Sequence, residues 1–216
     1  MNKETAILKG KRKGPTSKER ILDAAREEFI ASGFEGARIQ NIVRAAQTNP
    51  KVLYDHYRSK SELYVAVLEE ALAALRKRET TLDVVTSDPR EGLLSLFDFL
   101  CDHFRTHPEL VRLLTNENIE KAQYIRTSTR IAEMSSPVLR QIEVLLARGQ
   151  KAGTLRDGID ALTLYVMMAG LAQFHISNVH TLSTIFDTDI DNDAWRDRHN
   201  ATAREMFATY LDPERS

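Results

Sequence analysis

Residues 47–60 read Gln-Thr-Asn-Pro-Lys-Val-Leu-Tyr-Asp-His-Tyr-Arg-Ser-Lys, a run dense in side chains that meet nucleic acid well. Lys51 can donate to the O6/N7 edge of guanine, and the methyl groups of Thr48 and Val52 can touch a thymine methyl. The spacing around these groups supplies a frame. Ile39, Ile42, Val43 and Ala46 repeat at helical intervals, Gln47-Thr48 interrupts them, and Asn49-Pro50 reads as an N-cap followed by Pro in the first turn, where the lost N–H costs nothing. Leu53 and Tyr57, one turn apart, can face a core. Two short helices packed at a steep angle form a helix-turn-helix, which lays the second helix in the major groove with its N-terminal residues on the base edges. Thr48, Asn49, Lys51 and Val52 occupy that end. Arg38 and Gln40, at the start of the preceding helix, are candidates for phosphate contacts, which position a protein without reading sequence.

The elements that must hold this motif follow from capping signals and helical stripes. Thr16-Ser-Lys-Glu19 is a capping box, and Ile21, Leu22, Ala25, Phe29 and Ile30 share one face behind it until Gly33. Ser59-Lys-Ser-Glu62 is a second capping box, opening a long helix toward Thr80. Asp88-Pro89 starts the next, with a stripe of Leu93, Leu96, Phe97, Leu100, Cys101 and Phe104. His107-Pro108 starts another, and Ser136-Pro137 predicts a further start with an end near Gly153. LRDGI at 155–159 is a turn. Asp160 to about Thr184 reads as one long apolar helix, 187–193 as an acidic loop, and 194–211 as a final amphipathic helix. No strand alternation or repeat appears, so the fold class is all-α. The expected organisation is a disordered basic arm over 1–15, a helix-turn-helix domain over 16–62 and a larger helical domain over 63–216.

Composition limits the function. Residues 1–62 hold 13 Lys/Arg against 8 Asp/Glu, and residues 63–216 hold 17 against 23. A small basic part is therefore joined to a larger acidic one, and basic surfaces attract phosphate and release its counterions. The Lys/Arg-rich residues 3–13 could add nonspecific or minor-groove contacts. No run approaches the ~20 apolar residues of a membrane span, and the N-terminus lacks a signal-peptide core. The single cysteine cannot form an internal disulfide, so a cytoplasmic protein without membrane association is expected.

The pattern from Arg20 to Leu63 resembles the DNA-binding domain of the TetR (tetracycline repressor) family of transcriptional regulators. The matching residues are RILDAA at 20–25, Phe29, Gly33-Phe34, Ile39, Ile42, Ala45-Ala46, Leu53-Tyr54, Tyr57, Ser59-Lys60 and Leu63. The remaining residues resemble the family in helical layout, and 107–119 resemble a C-terminal subgroup. Three positions depart from the pattern. Gln47 stands where the turn usually has Gly, Asn49-Pro50-Lys51 replaces the usual Ser-Lys/Arg-Gly start, and Asp55 follows Leu-Tyr where His or Tyr is common.

The resemblance implies a repressor that a small-molecule effector releases from a near-palindromic double-stranded DNA operator. Tyr54 and His56 would meet phosphates or bases, Tyr57 would be mostly structural, and Lys60 would hold the DNA backbone. The helices over 160–184 and 194–211 would pair with the same two of a second copy as a homodimer, with Ala169, Gly170 and Ala172 allowing close approach. The effector would lie among the helices of 63–183. Asn116, Glu117, Asn118, Tyr124, Gln173, His175 and Asn178 are its polar candidates, and Phe97, Cys101, Phe104, Leu113, Met167, Met168 and Phe174 its apolar walls.

Other classes fit less well. His103 and His107 are four apart, but there is neither the adjacent Glu of a zinc protease helix nor a thiol pair. The run Asp187-Thr-Asp-Ile-Asp191 opens like a calcium loop, but Asn192 replaces the required Gly and Arg198 stands where a bidentate Glu belongs. No enzyme motif and no cofactor is indicated. The alternative is a helical interaction protein that has lost DNA binding, a reading that Asp55 and the altered turn keep open.

Overall fold

Thr16 sets the start of the first helix: its side chain accepts from the Glu19 N–H while Glu19 accepts from the Thr16 N–H, completing the expected capping box. The computed structural model describes residues 14–81 and 88–213. The basic residues 3–13 lie outside them. The chain divides into two compact units that meet between Leu63 and Tyr64.

The N-terminal unit holds α1 (Ser17–Gly36), α2 (Ile39–Ala45) and α3 (Pro50–His56). Gly33 breaks α1 internally, at φ 65° and ψ −178°, a conformation open essentially to glycine. Ile21, Ala25 and Phe29 of α1 are fully buried with Ile42 of α2 and Leu53 of α3, so the periodic apolar residues make one small core.

α4 (Lys60–Thr81) carries the boundary between the units. Its capping box is rearranged. Ser59 accepts from the Glu62 N–H, but Glu62 reaches back to the Arg58 N–H.

The C-terminal unit adds α5 (Pro89–Thr106), α6 (Pro108–Ile119), α7 (Thr129–Lys151), α8 (Ala161–Ser177), α9 (Val179–Ile185) and α10 (Asp193–Leu211). α5 is central, packing on α6, α7, α8 and α10. It carries Leu93, Leu94, Leu96, Phe97, Leu100 and Phe104 into one core with Ile142, Leu145, Leu164, Met168 and Phe207. Gly149 of α7 is required by a close approach, since a Cβ there would overlap the Leu155 side chain.

Two expectations are corrected. α7 starts at Ser128, whose hydroxyl accepts from the Ile131 N–H, and runs through Pro137 instead of beginning there. The long apolar helix is two helices. The Asn178 N–H and its side-chain amide both donate to the Phe174 carbonyl, at 3.1 and 2.9 Å, and the backbone leaves α geometry at that residue.

The polar groups inside the C-terminal unit are few. Glu79 is fully buried but satisfied: Arg76 donates to it at 2.6 Å, and the Tyr165 hydroxyl donates at 3.0 Å while accepting from Arg76 at 2.6 Å. This network ties α4 to α8. His103 and His175 are also buried. Burial, with the charges of His107 and Arg78, holds the His103 imidazole down at about 4; burial, with His199 and Arg196, does the same to His175.

Both imidazoles therefore stay neutral in the fold through the range where an unfolded histidine, near 6.5, takes up its proton. The contribution of each is complete above about pH 6.5, falls as the pH drops toward about 4, and then levels. The loss is expected to be on the order of 2 kcal/mol per group. Melting curves from pH 8 to 4 should show it, with His103→Gln and His175→Gln each flattening the slope.

Candidate nucleic-acid interface

The turn before α3 is built by main-chain bonds. The Thr48 N–H reaches the Val43 carbonyl at 2.9 Å and the Gln47 N–H the Arg44 carbonyl at 3.2 Å, a Schellman closure of α2. That closure needs a left-handed residue, and Gln47 supplies it at φ 51°. The position that resembles the family's glycine does need glycine's conformation, and here a side-chain-bearing residue adopts it. Asn49 then caps α3, accepting from the Val52 N–H at 3.1 Å, with Pro50 in the first turn.

Residues from α1 hold this arrangement. The Arg20 Nε donates to the Ala46 carbonyl at 3.1 Å and its Nη1 to the Pro15 carbonyl at 2.9 Å. Glu28 accepts from the Arg38 N–H and from the Asn41 amide, both at 2.9 Å, which fixes the start of α2. Sequence reasoning missed both roles. Each joins residues far apart in the chain, and no local spacing announces them.

With Leu53 and Tyr57 buried, α3 turns Asn49, Lys51, Tyr54, Asp55 and His56 outward, while Thr48 and Val52 are half-buried. Arg38 and Gln40 are exposed at the start of α2. His56 is engaged by the Ser17 hydroxyl at 2.9 Å. Lys60 is half-buried, its Nζ donating to the Glu35 carbonyl at 3.4 Å and lying 4.7 Å from the Phe34 ring centre. Apart from Tyr57, which is buried in the core, the predicted residues are exposed or half-buried on this three-helix unit.

The residues predicted for an effector do not form one group. Phe97, Cys101, Phe104 and Met168 belong to the close-packed core. Burial, then the charge of Asp98, pushes the Cys101 thiol up to about 12, so it is not a reactive thiolate. Leu113 and Glu117 are buried on α6. His175 is buried against Trp195 and His199, Gln173 is half-buried, and Asn178 makes the α8–α9 break. Asn118, Met167 and Phe174 are exposed in this unit. Ala172 is a core residue and not part of an outward face. α8 is apolar on nearly every side, so its inner face could not be distinguished from its outer one by pattern.

A small helical unit presenting a capped helix after a tight turn, followed along the chain by a larger helical unit, has the layout of a helix-turn-helix transcriptional regulator. Residues 21–67 match the family described as bacterial regulatory proteins, tetR family, and residues 89–207 match the tetracyclin repressor-like C-terminal domain. The chain is 33% identical to the transcriptional repressor NicS of Pseudomonas putida over 81% of its own length and 82% of that protein's. It is 31% identical to the repressor SCO4008 of Streptomyces coelicolor, over 74% and 78%. Among solved structures, the regulator SCO4942 of Streptomyces coelicolor matches with a TM-score of 0.65 at 26% identity, covering 88% of this chain and 98% of that one. The chain belongs to the TetR family and is a DNA-binding transcriptional regulator. No helix among the described residues is long and apolar enough to cross a membrane.

Two outcomes follow from the turn and the exposed helix. Gln47→Gly should relax the left-handed position and stabilise the turn by about 1 kcal/mol. It should be read as slower hydrogen exchange at the Thr48 and Val52 amides. Lys51→Ala should cost about 1–3 kcal/mol on the specific site and little on scrambled DNA, whereas loss of a phosphate contact would weaken both alike. A salt series on the two duplexes separates the cases.

Proposed function

We propose that the chain is a homodimeric repressor whose two α3 helices read a near-palindromic operator, and that a small molecule bound in the C-terminal unit releases it. The observation that carries the DNA half is the outward face of α3, where Lys51 and Tyr54 stand clear of the core that Leu53 and Tyr57 complete. Thr48, Asn49 and Val52 frame it at the base-edge end, and Arg38, Gln40, His56 and Lys60 frame it chiefly as phosphate or backbone contacts. Two relatives bearing the name of repressor support the direction of regulation.

The dimer half rests on apolar surface. On α8, Leu162, Val166, Met167 and Phe174 are 55–60% exposed, and on α10 Met206 and Tyr210 are 60% and 46% exposed. Large side chains grouped on two helices of a folded domain mark an interaction surface. A second copy can cover them by twofold symmetry, which sets two recognition helices on two half-sites. The protein then works in the cytoplasm, where its DNA is. The effector must bind the conformer with misplaced recognition helices better than the DNA-competent one, because equal affinity for both shifts nothing.

The test is a gel-shift titration on DNA upstream of the protein's own gene and its neighbours. Specific retardation is expected, with inverted half-sites in the protected region, and it should be reversed by an effector from small-molecule extracts. Absence of retardation on any of these fragments would count against the operator reading. Retardation that no compound relieves would count against effector release.

A further inference from the structure

Two glutamates are buried in the C-terminal unit, and their surroundings differ in kind. Glu79 is neutralised by Arg76. Glu117, 2% exposed on α6, has no cationic partner among the described residues. Its Oε2 accepts from the Ile125 N–H at 2.9 Å. Its other oxygen, Oε1, is sealed from solvent, and the Tyr64 hydroxyl lies close to the carboxylate. The Tyr64 phenol is held well above its ordinary range by burial first and by the Glu117 charge second. Tyr124 stands edge-on to Tyr64, with ring centres 5.2 Å apart and planes at 87°.

The segment that closes over these groups is strained. Lys121 and Ala122 are consecutive left-handed residues, at φ 55° and 57°, and neither is glycine. Glu117 holds that turn through its carbonyl, which accepts from the Ala122 N–H at 2.7 Å, as well as through its side chain.

Holding the Ile125 N–H requires only a neutral acceptor, which glutamine provides without burying a charge. A carboxylate walled by aromatic rings and left without a cation is a half-built cation site, since the faces of those rings attract positive charge as the carboxylate does. We propose that Glu117, Tyr64 and Tyr124 form the recognition end of the effector site, and that the effector is an organic cation, a protonated amine or a quaternary ammonium. This rests on the effector-release reading above. The strained connection between α6 and α7 is the part that yields to admit it.

The full-length chain and its Glu117→Gln variant are compared by melting and calorimetry with benzyltrimethylammonium and benzylamine as cations, benzyl alcohol as the neutral control and benzoate as the anion. Both cations are expected to raise the melting temperature of the parent chain, with at least tenfold weaker binding to E117Q and no response to the two controls. E117Q itself should melt no lower than the parent, because it keeps an acceptor for the Ile125 N–H. The proposal is overturned by failure of both cations to bind, by equal binding to E117Q, by a preference for benzoate, or by a clear loss of stability in E117Q. A gel shift separates the two readings. Release of the operator by a neutral or anionic effector, with E117Q responding normally, leaves effector release standing and removes the cation site.

Discussion

The geometry of the helix-turn-helix depends on one left-handed residue. Gln47 at φ 51° lets the Thr48 N–H close α2 on the Val43 carbonyl, and that closure delivers Asn49 to the position from which it caps α3. Glycine would reach this conformation at lower cost. The surrounding structure makes up the difference. Arg20 holds the Ala46 carbonyl next to the turn, Glu28 fixes the start of α2, and Ile42, Leu53 and Tyr57 bury the inner faces of both helices. Strain at a position that aims a recognition helix persists when its neighbours over-determine it.

The C-terminal unit meets a different constraint, the cost of polar groups inside an apolar core. At Glu79 that cost is met within the chain by a guanidinium and a phenol, so the network works as a rigid tie between α4 and α8. At Glu117 the described residues supply a backbone N–H and a neighbouring phenol but no positive charge. The two sites are alike in residue type and burial, and unlike in what they lack. A satisfied network needs nothing further from solution, whereas an uncompensated carboxylate gains from whatever cation can reach it.

Much of this was legible in the sequence, and for physical reasons. Caps are local, so Thr16, Asn49, Asp88 and Asp160 announce helix starts from a few residues each. The all-α class follows from apolar stripes at helical spacing. The failures are also local signals overruled by context. Pro137 resembles a helix start, but Ser128 caps the helix earlier and the proline is carried inside it. Asn178 sits in an apolar run that reads as continuous, yet its backbone leaves α geometry and ends the helix there. The exposed residues of α3 could be listed in advance because a capped amphipathic helix has one free side. An effector site could not, because Phe97, Cys101 and Met168 look the same in sequence whether they line a cavity or fill a core.

The apolar outer face of α8 and α10 joins these strands. A seven-residue α3 spans only a few base edges, so a single unit reads too little DNA to select an operator. Exposed Leu162, Val166 and Phe174 cost a lone chain solubility and return nothing to its own core. In the proposed homodimer one symmetric contact would remove both deficits, burying the face and doubling the readout. On that proposal, the same contact would turn a change within one C-terminal unit into a change in the spacing of two recognition helices, the quantity an operator with fixed half-site separation tests.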